Sequence, residues 1–300
     1  MFGLRLAVAT EDFGRNLRQS ISLAARSRVR GLRLNVRKEV RAEEFTATGL
    51  RQLRHFVEEH QLKVAGLYFQ TRHALADKEM LEQRLDGLRA AIELARPLGT
   101  EEILVRIGRV PDPDGRESRE DSQPTNTDVD SLTNPFSFAP TGPVAGNGQV
   151  CEAKQFRHLC EVLQDMAAIA GHRGASLQLI PASYDTARLR RLFSEVSTGP
   201  VGLVFDPATC VMSGRDPIDV FRDLYSHVGY VRLRDACRDV DGGGVEVVHG
   251  DGSVDWSEVM AVLTEAESSL WMCAERTGGD QRGTDAAHAV NRINELLPAF

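Results

Sequence analysis

The sequence predicts an α/β chain, and among α/β architectures it favours a (β/α)8 TIM barrel. Eight short apolar, β-rich runs recur along the chain. Helical patterns with apolar residues at 3.6-residue spacing follow them. Length agrees as well. Setting aside residues 111–150, which differ in composition, leaves 260 residues, close to the roughly 250 of a typical eight-stranded barrel. The same alternation also fits an open, doubly wound sheet, so rhythm alone leaves closure undecided.

The elements are expected in this order. LRLAVAT (4–10) reads as the first strand, with a helix near 14–27. GLRLNVR (31–37) is the second, before a helix near 43–60, and KVAGLYFQ (63–70) is the third. The helix after it, 78–99, repeats Leu81, Leu85, Leu88 and Ile92 along one face. EILVRIG (102–108) is the fourth strand, and ASLQLIP (175–181), VGLVFDP (201–207), GYVRLRD (229–235) and LWMCAER (270–276) complete the set. Helices are expected at 184–196, 216–226, 256–267 and 284–297. Asp255 stands three residues before Glu258 at the start of the third of these, the spacing of a capping box, and so reads as a helix cap. Residues 238–252 read as a short hairpin with DGGG at its tip.

Residues 111–150 are rich in Pro, Asp, Ser, Thr, Asn and Gly, with Phe136 and Phe138 as the one small cluster able to dock. Within a single domain spanning 1–300 they read as a long loop after strand four. A loop of that length is usually a lid, a binding loop or disorder. It would emerge on the face where barrel active sites lie.

Composition limits the partners. The chain carries 36 basic and 43 acidic residues, a formal net charge of -7, and no long basic run. Binding to nucleic acid or to an anionic membrane needs concentrated Lys and Arg, so neither is expected. No window approaches the roughly 18 apolar residues of a membrane span, and MFGLRLAVATEDFG is too early in acid for a signal peptide. Cys151, Cys160, Cys210, Cys237 and Cys273 fit neither CxxC nor zinc-ribbon spacing and read as reduced thiols in the cytoplasm. Neither the GxxxxGK[ST] phosphate loop nor the GxGxxG fingerprint occurs. A homo-oligomer stays compatible with all of this.

The chemistry is expected at the strand ends. Strand six ends VFDPAT, and strand seven reads VGYVRLRDACRD (228–239), with Arg232 and Arg234 two residues apart on one face. HGDGSVDW follows, and strand eight ends WMCAER. This succession resembles the xylose isomerase-like family of sugar phosphate isomerases and epimerases. The resemblance implies a divalent metal held by a Glu, an Asp, a His and a second Glu from strands five to eight. In the family's epimerases the two Glu also move a proton beside a carbonyl. Such a donor set suits Mn, Mg, Co or Zn, and the ion stabilises the enediolate. Transferred residue by residue, Asp206 and Glu275 keep two of these positions. Ile180 stands where the first Glu would be, Arg232 where the His would be, and Thr209 where an additional His often follows the Asp. A guanidinium stays protonated and offers only donors, so it cannot ligate an ion. Arg232 is therefore expected to fill the ion's place between Asp206 and Glu275, leaving no cofactor or, failing that, a divalent metal.

Glu275 is the candidate base. Arg232, Asp206, Arg276, Arg106, Asn35 and Arg37 are the candidate substrate-binding residues. Asn35, Arg37 and Glu39 alternate along the end of strand two and are expected to share one face. Three functions follow. The first is an isomerase or epimerase acting on a small sugar, sugar phosphate or other polyhydroxy carbonyl compound with a rebuilt site. The second is a barrel without catalysis that serves as a small-molecule-binding or regulatory module. The third is a DNA-repair endonuclease, against which stand the acidic net charge and the absence of His at strand ends.

Overall fold

The computed structural model describes residues 4–115, 148–239, 243–266 and 269–297. Eight parallel strands close into a barrel: β1 (Arg5–Ala9), β2 (Gly31–Asn35), β3 (Lys63–Phe69), β4 (Glu102–Gly108), β5 (Ser176–Pro181), β6 (Val201–Phe205), β7 (Val228–Leu233) and β10 (Trp271–Ala274). Their order around the barrel is β1-β10-β7-β6-β5-β4-β3-β2, so every strand pairs with its sequence neighbour in the barrel and β10 closes on β1. An antiparallel hairpin, β8 (Asp235–Arg238) with β9 (Gly244–Val247), rises after β7. All eight expected barrel strands are present, and closure resolves the alternative of an open sheet.

The helices are α1 (Leu17–Ala24), α2 (Ala47–Glu59), α3 (Leu81–Leu98), α4 (Gly148–His172), α5 (Thr186–Glu195), α6 (Pro207–Met212), α7 (Pro217–Leu224), α8 (Trp256–Glu265) and α9 (Arg282–Leu296). Local chemistry fixes their starts. Asn16, Thr46, Asp185, Asp216 and Asp255 each accept a backbone N–H at the head of α1, α2, α5, α7 and α8. Gly99, at φ 76°, closes α3 in the left-handed region that glycine tolerates best. Two helices go beyond the sequence reading. Helix α6 has all six residues buried, so it shows no amphipathic period to read. Helix α4 begins at 148, inside the stretch read as loop. Of that loop, residues 116–147 lie outside the described residues.

Packing separates into two layers. A large cluster fills the shell between barrel and helices. A second, apart from it, includes Ala7, Ala9, Ala65, Leu104, Val204, Tyr230, Trp271 and Cys273 and fills the barrel itself. At its lower end Gln178 donates to Glu102 at 2.6 Å, and glycines at 202 and 229 make room, since a Cβ at either would collide with the Gln178 amide. No helix among the described residues is long and apolar enough to cross a membrane.

Candidate functional site

Strand alternation carries polar side chains to the mouth of the barrel. On β4 and β7 and just beyond β6 and β10, the residue two positions after an inward apolar one is charged: Leu104 then Arg106, Val204 then Asp206, Tyr230 then Arg232, Cys273 then Glu275. Ile180 on β5 is the apolar exception in this layer. Register shifts at Leu32/Arg33, Leu203/Val204 and Arg106/Gly108 fall close to these positions, as bulges beside functional sites often do.

Asp206, Arg232 and Glu275 belong to one continuous chain of alternating charge. Lys38 Nζ lies 3.4 Å from Glu11, which lies 3.0 Å from Arg33 Nη2. Arg33 Nη2 lies 2.9 Å from Glu275 Oε2, and Glu275 Oε1 accepts from Arg232 Nε. Arg232 Nη1 reaches Asp206 Oδ2 at 3.3 Å, and Arg234 Nη1 donates to the same oxygen at 2.9 Å. Arg234 Nε then donates to Glu246 at 3.2 Å, and Arg276 links Glu246 at 3.5 Å to Asp285 at 3.4 Å. Five cations thus alternate with five anions, so each buried member of the chain faces an opposite charge. Burial works to raise the pKa of Glu275, but Arg232 and then Arg33 more than offset it, and the carboxyl sits below its usual range. Glu246 and Glu11 behave alike: burial opposes ionisation, while Arg234 for the first and Arg33 for the second outweigh it. Asp12, which accepts the Arg276 N–H at 2.8 Å, differs. Burial prevails over Arg33 there and pushes its pKa up to about 8.

Glu246 reaches the site because Asp235 anchors the base of its hairpin and the loop beyond it. One carboxylate accepts the backbone N–H groups of Ala236 (2.8 Å), Gly250 (2.8 Å) and Val254 (3.3 Å) and the indole N–H of Trp256 (2.9 Å). Buried His249 stacks on Trp256 with centroids 4.2 Å apart.

The expected residues divide. Arg232, Asp206 and Glu275 meet, with Arg232 between the two carboxylates. Arg106 lies at the mouth and donates to Thr71 O at 3.4 Å. Asn35 is buried, and its amide donates to Glu11 and Gln70 at 2.8 Å each. Arg276 turns away to Glu246, Asp285 and the Val247 carbonyl. Arg37 is a correction. β2 ends at Asn35, whose Oδ1 accepts from the N–H groups of Arg37 and Lys38 and turns the chain. The expected alternation through Arg37 and Glu39 therefore stops, and Arg37 is exposed beside Phe69. The inward arginine is Arg33, two residues before Asn35 on the same face, which the reading missed together with Glu11 and Glu246.

Above the chain of charges lies a small cleft, open to solvent at its mouth. Its wall contains Arg106, Arg232 and Arg234 together with Tyr68, Thr209 and Thr277, and its apolar side is Ile180, Pro181, Ala182 and Met212.

Residues 21–296 match the sequence family described as xylose isomerase-like TIM barrel. The chain belongs to that family. Inosose dehydratases from Bacillus thuringiensis (strain Al Hakam) and Bacillus cereus (strain 03BB102) are each 21% identical over 151 residues, covering 44% of this chain and 51% of the relative. The chain thus spans about half the length of the curated relatives it matches. Among solved structures, a xylose isomerase domain protein from Planctomyces limnophilus superposes with a TM-score of 0.71 at 17% identity, over 97% of this chain and 95% of that one. A xylose isomerase-like TIM barrel protein from Mycobacterium smegmatis, solved with magnesium, gives 0.71 at 13% identity over 97% and 96%. A D-tagatose 3-epimerase-like protein gives 0.70 at 14% identity over 97% and 96%. At such identities the likeness establishes the fold alone.

The metal implied by the xylose isomerase-like resemblance does not fit the residues present in this member. Among the described residues no three of His, Cys, Asp and Glu converge as an ion would need. Ile180 offers no donor atom, and the Arg232 guanidinium bridges the remaining carboxylates.

Proposed function

We propose that this chain binds a small polyhydroxy carbonyl compound, a sugar or sugar phosphate, at the C-terminal mouth of its barrel, without a divalent ion. The observation that carries the reading is Arg232, held between Asp206 and Glu275 at the wall of the cleft. An arginine there supplies the positive charge that two converging carboxylates require. Several similar proteins are named for compounds of the proposed class: the inosose dehydratases, the D-tagatose 3-epimerase-like protein and the 3-keto-D-glucoside 4-epimerase from E. coli. Cys160, Cys210 and Cys273 are free and buried, which suits a reducing compartment such as the cytoplasm.

The surroundings of Glu275 favour binding over enolisation. A general base works best with a pKa near the operating pH and must reach the proton it removes. Glu275 is paired on both oxygens by arginines, held below its usual range, and 5% exposed. Isomerase or epimerase chemistry would require it to part from Arg232 and Arg33. The deciding experiment incubates the protein with inososes, ketohexoses and their phosphates in deuterium oxide containing EDTA. Ligand line broadening without deuterium incorporation beside the carbonyl is the expected result. Incorporation lost in Glu275→Gln would install the isomerase instead, and thermal stabilisation by Mn or Mg would overturn metal independence.

A further inference from the structure

Two side chains of the cleft wall hold donors that the chain of charges does not use. Arg232 directs Nε to Glu275 and Nη1 to Asp206, while Arg234 directs Nε to Glu246 and Nη1 to Asp206. In both, Nη2 has no partner among the described residues, and neither is a sealed orphan atom. Both side chains are nine-tenths or more buried, at 10% and 5% exposure, and both line the cleft. Guanidinium N–H groups fixed in a largely desolvated wall lose hydration and gain most from an ionised acceptor. The described residues of the cleft wall provide none: they include three arginines and no Asp or Glu, because Asp206, Glu246 and Glu275 stand behind the wall.

We infer that the cleft is a receptor for the carboxylate of a small polyhydroxy acid, bound across Nη2 of Arg232 and Nη2 of Arg234. The inference rests on the proposed binding function and narrows its ligand class. A planar carboxylate matches guanidinium donors in a way that a neutral hydroxyl does not. Charge selects a monoanion over a phosphate dianion. The carboxylates behind the wall already balance Arg232 and Arg234, so the surplus at the cleft is small. Thr209, beside the arginines on the wall, offers a hydroxyl for the polyhydroxy part.

The test is calorimetric titration of the full chain with D-glucuronate, D-glucose, glucose 6-phosphate and acetate, repeated on two variants. Arg234→Lys keeps a cation for Asp206 and removes the fork. Ala182→Asp, on the partly exposed rim, adds a negative charge without touching the chain of charges. Glucuronate should bind more tightly than glucose and weaken with added salt. It should lose roughly tenfold or more in Kd in each variant, as expected for losing a charge-assisted hydrogen bond or adding a like charge. If Arg234→Lys fails to fold, Ala182→Asp decides alone. Tighter binding of glucose 6-phosphate overturns the carboxylate assignment. Binding of glucose equal to glucuronate, or glucuronate binding indifferent to both variants, overturns the receptor while the proposed function stands. Acetate binding as well as glucuronate keeps the receptor and overturns the polyhydroxy class. No binding by any of the four overturns the receptor, while the proposed function is decided by the inososes and ketohexoses.

Discussion

At the scale of single residues, Arg232 decides how the mouth of this barrel is built. It is buried with its charge intact, and the Glu275 and Asp206 carboxylates raise its already high pKa further against the opposing effect of burial. Replacing it by Met would remove the cation and leave Glu275 with Arg33 alone. Breaking a buried pair from one side costs about 3–5 kcal/mol, so urea unfolding of Arg232→Met at pH 7 should show a loss of that order. The loss should shrink at acidic pH, where the freed carboxylate can protonate. An unchanged unfolding midpoint would mean that the ion pair contributes nothing. Sequence reasoning reached Arg232 because strand seven places it at a definite position between recognisable neighbours. It could not reach Glu246, which arrives from a hairpin, or Glu11, which arrives from the turn after β1. Their positions depend on tertiary contacts that leave no local spacing. Arg33 was legible in principle, as the residue two before Asn35 on the same strand face, had the end of β2 been placed at Asn35 instead of 37.

At the scale of elements, the eight barrel strands were readable because buried parallel strands are short, continuous apolar runs set between longer amphipathic ones. The hairpin was readable from its glycine-rich tip, but its purpose was not. Asp235 ties β8 to the loop that leads into α8 through four N–H donors, and so holds β9 where Glu246 can meet Arg234 and Arg276. Asp235→Asn exchanges one accepting oxygen for an amide that can only donate, leaving two of those donors unsatisfied. At about 1–3 kcal/mol for a buried unpaired group, the variant should lose on the order of 2–4 kcal/mol. It should also shift tryptophan emission to the red as Trp256 loses its partner, with the far-UV circular dichroism of the barrel retained. Unaltered emission would show that the loop is held by its other contacts.

At the scale of the whole molecule, the chain of charges stitches together segments that lie far apart in sequence, from Glu11 to Asp285. Its pH dependence follows from the carboxyls. Glu11, Glu246 and Glu275 have folded-state pKa values below their ordinary ones. Each therefore contributes stability that is present above the unfolded value, about 4.3, and is lost as pH falls through the folded value. Asp12 acts in the opposite sense. Its pKa of about 8 means that the folded state holds a proton the unfolded chain releases, so its contribution weakens as pH rises from about 4 towards 8. The free energy of unfolding should thus fall steeply below about pH 4 as the chain of charges dissolves, and Asp12→Asn should flatten the decline towards pH 8. A curve level across the acidic range would contradict the first, and a wild-type slope in the variant the second. The guanidinium at the centre of this chain is attached through its own backbone. A bound metal has a dissociation constant, competes with chelators and depends on supply. Under the proposed function, a covalently held cation has none of these properties, and the positive charge at the barrel mouth is in place once the polypeptide has folded.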